Sequence, residues 1–157
     1  MKGLYAGSFN PFTNGHLDIV KEASQFFDEL YICIAVNTNK AQINENINEK
    51  ITAIEKSIKA VGIDNVKVIY YDGLIANLCK ELNIKYLVRG LRNTNDYIYE
   101  ENIAKINNEL NPELKTIYFR ATNEIISSSF VRELLKHEED ISKYVPTAIY
   151  ELIKGSD

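Results

Sequence analysis

The sequence predicts an α/β fold: a five-stranded parallel sheet with helices on both faces, in one domain spanning residues 1–157. Two patterns and one bulk property predict it. Strand-like and helix-like segments alternate about five times with short connections, the pattern of βαβ units. Leu30 to Val36 (L-Y-I-C-I-A-V) is continuously apolar, as in a central strand covered on both faces. The composition, 45% hydrophobic and 25% charged over 157 residues, has an ordinary globular balance. A chain of this length can bury roughly 68–70% of its unfolded surface, enough for a core without disulfides or metals.

Taken in order, Lys2 to Ala6 is a short apolar strand. Gly15 to Phe27 is a helix with Leu17, Val20, Ala23 and Phe27 on one face, followed by the strand Leu30 to Val36. Ile47, Ile51, Ile54, Ile58 and Val61 recur at steps of four and three, which makes one apolar helical stripe. Asn46 followed by Glu49 resembles a capping box at its start, and Gly62 ends it. Val66 to Tyr70 is a strand, Leu74 to Leu82 a helix and Tyr86 to Val88 a strand. Asp96 to Leu110 is a helix that Pro112 prevents from continuing. Thr116 to Phe119 is the fifth strand, and helices at Ser129 to Lys136 and Thr147 to Ile153 complete the chain. No internal repeat or Pro/Gly/Ser-rich linker divides it. In open α/β sheets ligands bind beyond the carboxyl ends of the strands. The loops of interest therefore follow Ala6, Val36, Tyr71, Val88 and Phe119, and the longest runs from Asn37 to Asn46.

Net charge is −4, from 18 basic and 22 acidic residues. Nucleic-acid binders usually carry a basic excess, so no nucleic-acid partner is expected. A small anionic substrate needs only a few well-placed cations. Cys33 and Cys79 are far apart and outside any C-x-x-C pair, so they read as two buried thiols in a reducing compartment. No signal-peptide h-region is visible, and no run approaches the roughly 18 apolar residues that span a membrane. Membrane partners are not expected, and the cytoplasm is the default location. His137 follows a helix and is expected to meet the helix end or solvent.

Three segments carry chemistry. The first strand leads into Gly7-Ser8-Phe9-Asn10-Pro11-Phe12-Thr13-Asn14-Gly15-His16. This is neither G-x-G-x-x-G nor a P-loop. It is a glycine-bearing turn opening a helix, whose free N–H groups and positive dipole end suit a phosphate. Gly15 would let a ligand approach the backbone, and His16 in the first turn could donate to a phosphoryl oxygen. Taken alone, the segment is equally a capped helix with Asn14 as cap and His16 exposed. Arg89-Gly90-Leu91-Arg92 follows the fourth strand directly, and two arginine forks there could grip phosphates. A solvated basic turn is the alternative. At Ile125-Ile126-Ser127-Ser128-Ser129-Phe130-Val131-Arg132, three serines at a strand-to-helix junction could serve an anion or simply cap the helix.

In combination these segments are specific. T-N-G-H after G-S-F-N-P resembles the T/H-x-G-H motif of the nucleotidyltransferase superfamily, and I-S-S-S-x-x-R resembles its second signature. With Lys40, R-G-L-R-N-x-x-D-Y-x-Y-E at Arg89 to Glu100, and N-N-E-L-N-P-E-L at Asn107 to Leu114, nearly the whole chain resembles the bacterial phosphopantetheine adenylyltransferases. The resemblance implies a Rossmann-like fold and transfer of AMP from ATP to 4′-phosphopantetheine, with Mg2+ as cofactor. It also implies a homohexamer and coenzyme A as a possible feedback ligand. By motif, His16, Ser8, Lys40 and Arg92 would be catalytic. Ser8, Phe9, His16, Gly90, Arg92, Tyr99, Glu100, Ile126, Ser127, Ser128 and Ser129 would bind ATP. Ser8, Lys40, Leu74, Arg89 and Asn107 would bind the acceptor. No side chain is expected to ligate a metal. The family usually has G-T-F-D-P, so Ser8 keeps the hydroxyl and Asn10 loses a carboxylate. Asp72-Gly73-Leu74 also departs from the common sequence at its turn. The alternatives are a sister enzyme acting on nicotinamide mononucleotide or glycerol 3-phosphate, and a non-catalytic nucleotide-binding module.

Overall fold

A computed structural model describes residues 1–35, 46–123 and 125–155. Its five strands are β1 (Lys2–Gly7), β2 (Glu29–Ala35), β3 (Val66–Tyr71), β4 (Tyr86–Leu91) and β5 (Lys115–Arg120). All pair in parallel, in the order β3-β2-β1-β4-β5. The helices are α1 (Asn14–Ala23), α2 (Ile47–Lys59), α3 (Ile75–Glu81), α4 (Thr94–Leu110), α5 (Ser128–Lys136) and α6 (Thr147–Gly155). The predicted fold class is the observed one.

The strands bury both faces, which is why β2 reads as a continuous apolar run. Alternate residues serve two separate cores, following the period of two along a strand. Tyr5, Leu30, Ile32, Ile34 and Val88 face α1, α2, α5 and α6, through Leu17, Val20, Ile54, Ile58, Val131 and Ile149. Leu4, Ala6, Cys33 and Leu87 face the opposite way, onto Ala76, Leu78 and Cys79 of α3 and onto Leu114. Both cysteines are fully buried free thiols. Burial pushes Cys33 up to about 12, with a smaller push from Cys79, and Cys79 itself up to about 11.

Several boundaries differ from the sequence reading, each for a local reason. The cap of α1 is Thr13 rather than Asn14, because the Thr13 hydroxyl accepts from the His16 N–H. The helix stops at Ala23 rather than at Phe27. Ser24 Oγ and Gln25 Nε2 both donate to the Lys21 carbonyl, and such local bonds compete with helix continuation. Phe27 is still buried, but beyond the helix. Asn46 caps α2 by accepting from the N–H groups of Asn48 and Glu49. Gly62 sits at φ 80° just past α2, and Val61 is exposed rather than part of the stripe. α3 is shorter than expected, with Leu74 as its N-cap and exposed. α4 begins at Thr94 because Asn93 Oδ1 accepts from the Asp96 N–H.

The correction that matters most for the site concerns β4. It runs to Leu91 rather than stopping at Val88, with Arg89, Gly90 and Leu91 paired to Tyr118, Phe119 and Arg120. A Cβ on Gly90 would lie 3.2 Å from Ile19 Cγ1, so glycine lets α1 lie closely on the strand. Arg89 is therefore fixed in a ladder, and only Arg92 lies beyond it.

Candidate active site

The chain runs outward from β1 through β2 to β3 and then returns to the other side of β1 for β4 and β5. Such a reversal opens a crevice at the carboxyl ends of the two strands that flank it. The crevice of this chain, with a cavity volume of about 290 Å3, lies there. Its walls come from the turn after β1 (Gly7, Ser8, Phe9), the start of α1 (Gly15, His16), the end of β4 (Arg89, Gly90, Arg92) and the start of α5 (Ser127, Ser128, Ser129). Ile126 and Glu100 also line it. The three segments singled out in the sequence thus converge on one space.

His16 is half-buried rather than exposed. Its ring stacks on Phe12 at 5.5 Å and meets Phe9 edge-on at 4.9 Å, both between ring centroids. The Thr13 N–H donates to His16 Nδ1 at 2.9 Å, completing a reciprocal cap in which histidine takes the place usually held by Glu or Gln. An Nδ1 that accepts leaves the proton of a neutral ring on Nε2. Burial, reinforced by the positive charges of Arg89, Lys50 and Arg92, pushes His16 down to about 3. Near neutral pH the side chain is an uncharged Nε2–H donor.

A pH effect on stability follows. The folded value lies below the ordinary 6.5, so between the two the unfolded chain holds a proton that the folded chain lacks. Stability contributed by neutral His16 is fully present above pH 6.5 and declines as the pH falls toward about 3. An NMR titration is expected to show no imidazolium formation at His16 between pH 8 and 5, and protonation in that window would refute the assignment.

Arg89 is held on two sides. Its Nε and Nη2 donate to the two carboxylate oxygens of Glu100 at 2.7 and 2.8 Å, and Nη1 donates to the Ala6 carbonyl at 2.6 Å. Arg92 forks onto Asp96 one helical turn later, at 3.0 and 3.3 Å. A guanidinium has five N–H groups, so each arginine keeps donors in reserve after these bonds. The Glu100 carboxylate, expected from the motif near ATP, is taken up by Arg89 and is only 8% exposed. Asp96 lines the crevice and was not singled out from the sequence. Its legible signal was the four-residue spacing from Arg92.

At α5, Ser127 is the N-cap and accepts from the Phe130 N–H at 3.0 Å. The Ser128 hydroxyl donates to the Pro11 carbonyl at 2.8 Å. Arg132 donates to the Asn10 carbonyl at 2.6 Å and to Ser129 Oγ at 3.1 Å. Ser127 thus caps the helix, Ser128 and Arg132 stitch it to the Asn10–Pro11 turn, and the helix start lines the crevice. Gly15 serves this seam too. A Cβ there would come 3.0 Å from the Ile126 carbonyl, so the close approach it permits is by protein backbone.

Not every expected residue joins. Tyr99 is 65% exposed on α4, and Leu74 is 56% exposed. These two and Asn107 do not line the crevice. Nor does Asn10, whose carbonyl accepts from Arg132 in the supporting turn. Lys40 lies outside the described residues. His137 pairs with Glu133 at 3.0 Å on the surface. Two supports were missed by sequence reasoning: Thr13, and Lys50, whose Nζ donates to the Ser8 carbonyl at 2.8 Å.

The sequence model of the cytidylyltransferase-like family matches residues 4–134. The phosphopantetheine adenylyltransferase of Streptococcus pneumoniae (strain CGSP14) is 46% identical over 98% of this chain and 94% of its own. That of Helicobacter pylori (strain ATCC 700392 / 26695) is 41% identical over 96% of each. The chain belongs to the phosphopantetheine adenylyltransferase family. It is accordingly a nucleotidyltransferase. Among solved structures, Plasmodium falciparum nicotinic acid mononucleotide adenylyltransferase superposes with a TM-score of 0.70 over 99% of this chain and 95% of its own. At 19% identity that likeness shows the shared fold alone.

Proposed function

We propose that the chain transfers AMP from ATP to the phosphate of 4′-phosphopantetheine, giving dephospho-coenzyme A and pyrophosphate. The observation that carries the reading is a neutral His16 donor set in one crevice with two carboxylate-anchored arginines and a helix start. That arrangement suits two phosphate groups that must be brought together against their repulsion. The acceptor comes from family membership.

The acceptor is a phosphate monoester, mostly dianionic near neutral pH with a second pKa of about 6. It needs no strong general base. Its oxygen attacks the α-phosphorus of ATP, the bond from that phosphorus to the bridging β-phosphate oxygen breaks, and pyrophosphate leaves. Catalysis is then positioning and charge stabilisation. In this reading His16 Nε2–H donates to the α-phosphate, assisted by Ser8 and Lys40. Arg89 receives the acceptor phosphate. Arg92 and the α5 start hold the β,γ-phosphates.

Mg2+ belongs to this chemistry as part of the nucleotide substrate. Among the described residues no group of three His, Cys, Asp or Glu side chains could hold an ion, and the crevice carboxylates Glu100 and Asp96 serve arginines. The donor set therefore does not fit a protein-held ion. It fits a cation carried by ATP phosphates and water.

The test is pyrophosphate release from MgATP with 4′-phosphopantetheine, nicotinamide mononucleotide or glycerol 3-phosphate. Release dependent on phosphopantetheine is expected, and release with another acceptor only would overturn the reading. Arg92→Ala is expected to weaken ATP binding in calorimetry with the fold intact, and unchanged affinity would remove Arg92 from the nucleotide site.

No helix of the described residues is long and apolar enough to cross a membrane, and a cytoplasmic location is part of the proposal. Coenzyme A shares the pantetheine arm and the adenosine of the product, so it is proposed as a competing ligand. Exposed Ile98, Tyr99 and Ile106 on α4 support self-association, and family membership suggests a homohexamer, with an expected scattering mass near six times 17.9 kDa.

A further inference from the structure

The buried face of α2 is formed by Lys50, Ala53, Ile54, Ser57 and Ile58. These positions follow helical steps of three and four, so a lysine stands in the apolar stripe. Lys50 is 6% exposed. Lysines are almost never buried so completely unless their charge meets a partner. The Nζ donates to the Ser8 carbonyl at 2.8 Å, linking α2 to the turn that carries Ser8 and Phe9. That turn is conformationally demanding, because Phe9 has φ 47°, in the left-handed region. Phe9 is also 2% exposed and packs edge-on against His16. A shift of the Ser8–Phe9 peptide would therefore move both the Ser8 side chain and the wall of the His16 ring.

We propose that Lys50 is a positioning residue for the transfer: it locks the Ser8–Phe9 peptide by a charge-assisted hydrogen bond and sets a fixed positive charge behind the phosphate site. The peptide link is conjugated, so an ammonium on the Ser8 carbonyl also makes the Phe9 N–H on the far edge of the plane a stronger donor. Charge at this depth acts with little screening by solvent. Anions in the crevice would feel it together with Arg89 and Arg92, and all three cations have protein partners of their own. The inference rests on the adenylyl-transfer reading for its substrates, but its structural half does not.

The experiment compares Lys50→Met with Lys50→Arg. A charge-assisted hydrogen bond corresponds to about a tenfold to hundredfold effect, and kcat/KM for ATP is expected to fall by that factor in Lys50→Met. Lys50→Arg, which keeps charge and donors, should recover most of it. A purely structural lysine would instead leave kcat/KM per folded molecule unchanged. Should Lys50→Met fail to fold, Lys50→Gln retains a neutral donor, and the same loss is expected from it. Folded Lys50→Met, or Lys50→Gln in its place, within threefold of the parent overturns the proposal, as does an arginine variant no better than methionine. The titration of His16, followed by NMR without substrate, is independent of the acceptor. Its neighbours are Tyr5, Thr13, Phe9, Phe12, Arg89 with Glu100, Arg92 with Asp96, and Lys50. Loss of Lys50 should raise the pH at which His16 protonates. An unmoved titration refutes the electrostatic half even if phosphopantetheine proves to be the wrong acceptor.

Discussion

His16→Ala should lower kcat by about 10²–10³, the usual cost of removing one donor that acts on charge developing in the transition state. The size of the effect follows from how the ring is prepared. The Thr13 N–H fixes Nδ1 as an acceptor, two phenylalanines hold the ring plane, and burial with nearby cations keeps it neutral. A donor fixed before the reaction needs no reorganisation as charge builds on the α-phosphate. KM for ATP should change much less, since in the proposed arrangement the ground-state phosphates are also held by arginines and a helix start. Steady-state kinetics with both substrates varied would decide this. A loss of kcat below threefold would remove His16 from the chemistry.

The sheet was legible because both of its cores write themselves into the sequence. The run L-Y-I-C-I-A-V has no polar face, so it had to be covered on both sides, and its strand residues from Leu30 to Ile34 are. Helix α2 was legible from its stripe and its Asn46 cap. What the sequence hid was anything settled by contacts far along the chain. β4 looked three residues shorter because Gly90 is a poor strand residue in isolation and the charged Arg89 breaks the apolar run. Pairing with β5 and the close packing of Ile19 on Gly90 override that preference.

The site was legible as segments and much less so as bonds. Gly7 to His16, Arg89 to Arg92 and Ser127 to Ser129 were each placed on a strand end or helix start, and the parallel topology brings such ends together. Local spacing could not say that Glu100 would hold Arg89 from eleven residues away, or that Ser128 would reach Pro11. Nor could it show that a lysine in the stripe of α2 would point at the Ser8 carbonyl. These are properties of the packed chain. They explain why residues that resemble substrate contacts in sequence also act on one another. Leu74 and Tyr99 share the opposite property: both occupy motif positions, yet both present large apolar surfaces away from the crevice of a single chain.

Glu100→Ala is expected to be among the most destabilising single changes in this chain. Glu100 is 8% exposed, and both its oxygens accept from the Arg89 guanidinium. Truncating it leaves Arg89 partly buried with one carbonyl partner, that of Ala6. Breaking a buried pair from one side typically costs about 3–5 kcal/mol, because the remaining charge is desolvated and unpaired. For a chain of this size that corresponds to a fall in Tm of roughly 6–20 °C. Arg89→Met in the same background removes the stranded charge, so the double variant should recover part of the loss although it keeps fewer polar contacts. Activity should not return with it, because the proposed guanidinium for the acceptor phosphate is gone. Thermal denaturation of the two single variants and the double variant tests this directly. A fall of less than about 2 °C for Glu100→Ala, or a double variant less stable than the sum of the two singles, would show that Glu100 is not what secures Arg89 at the end of β4.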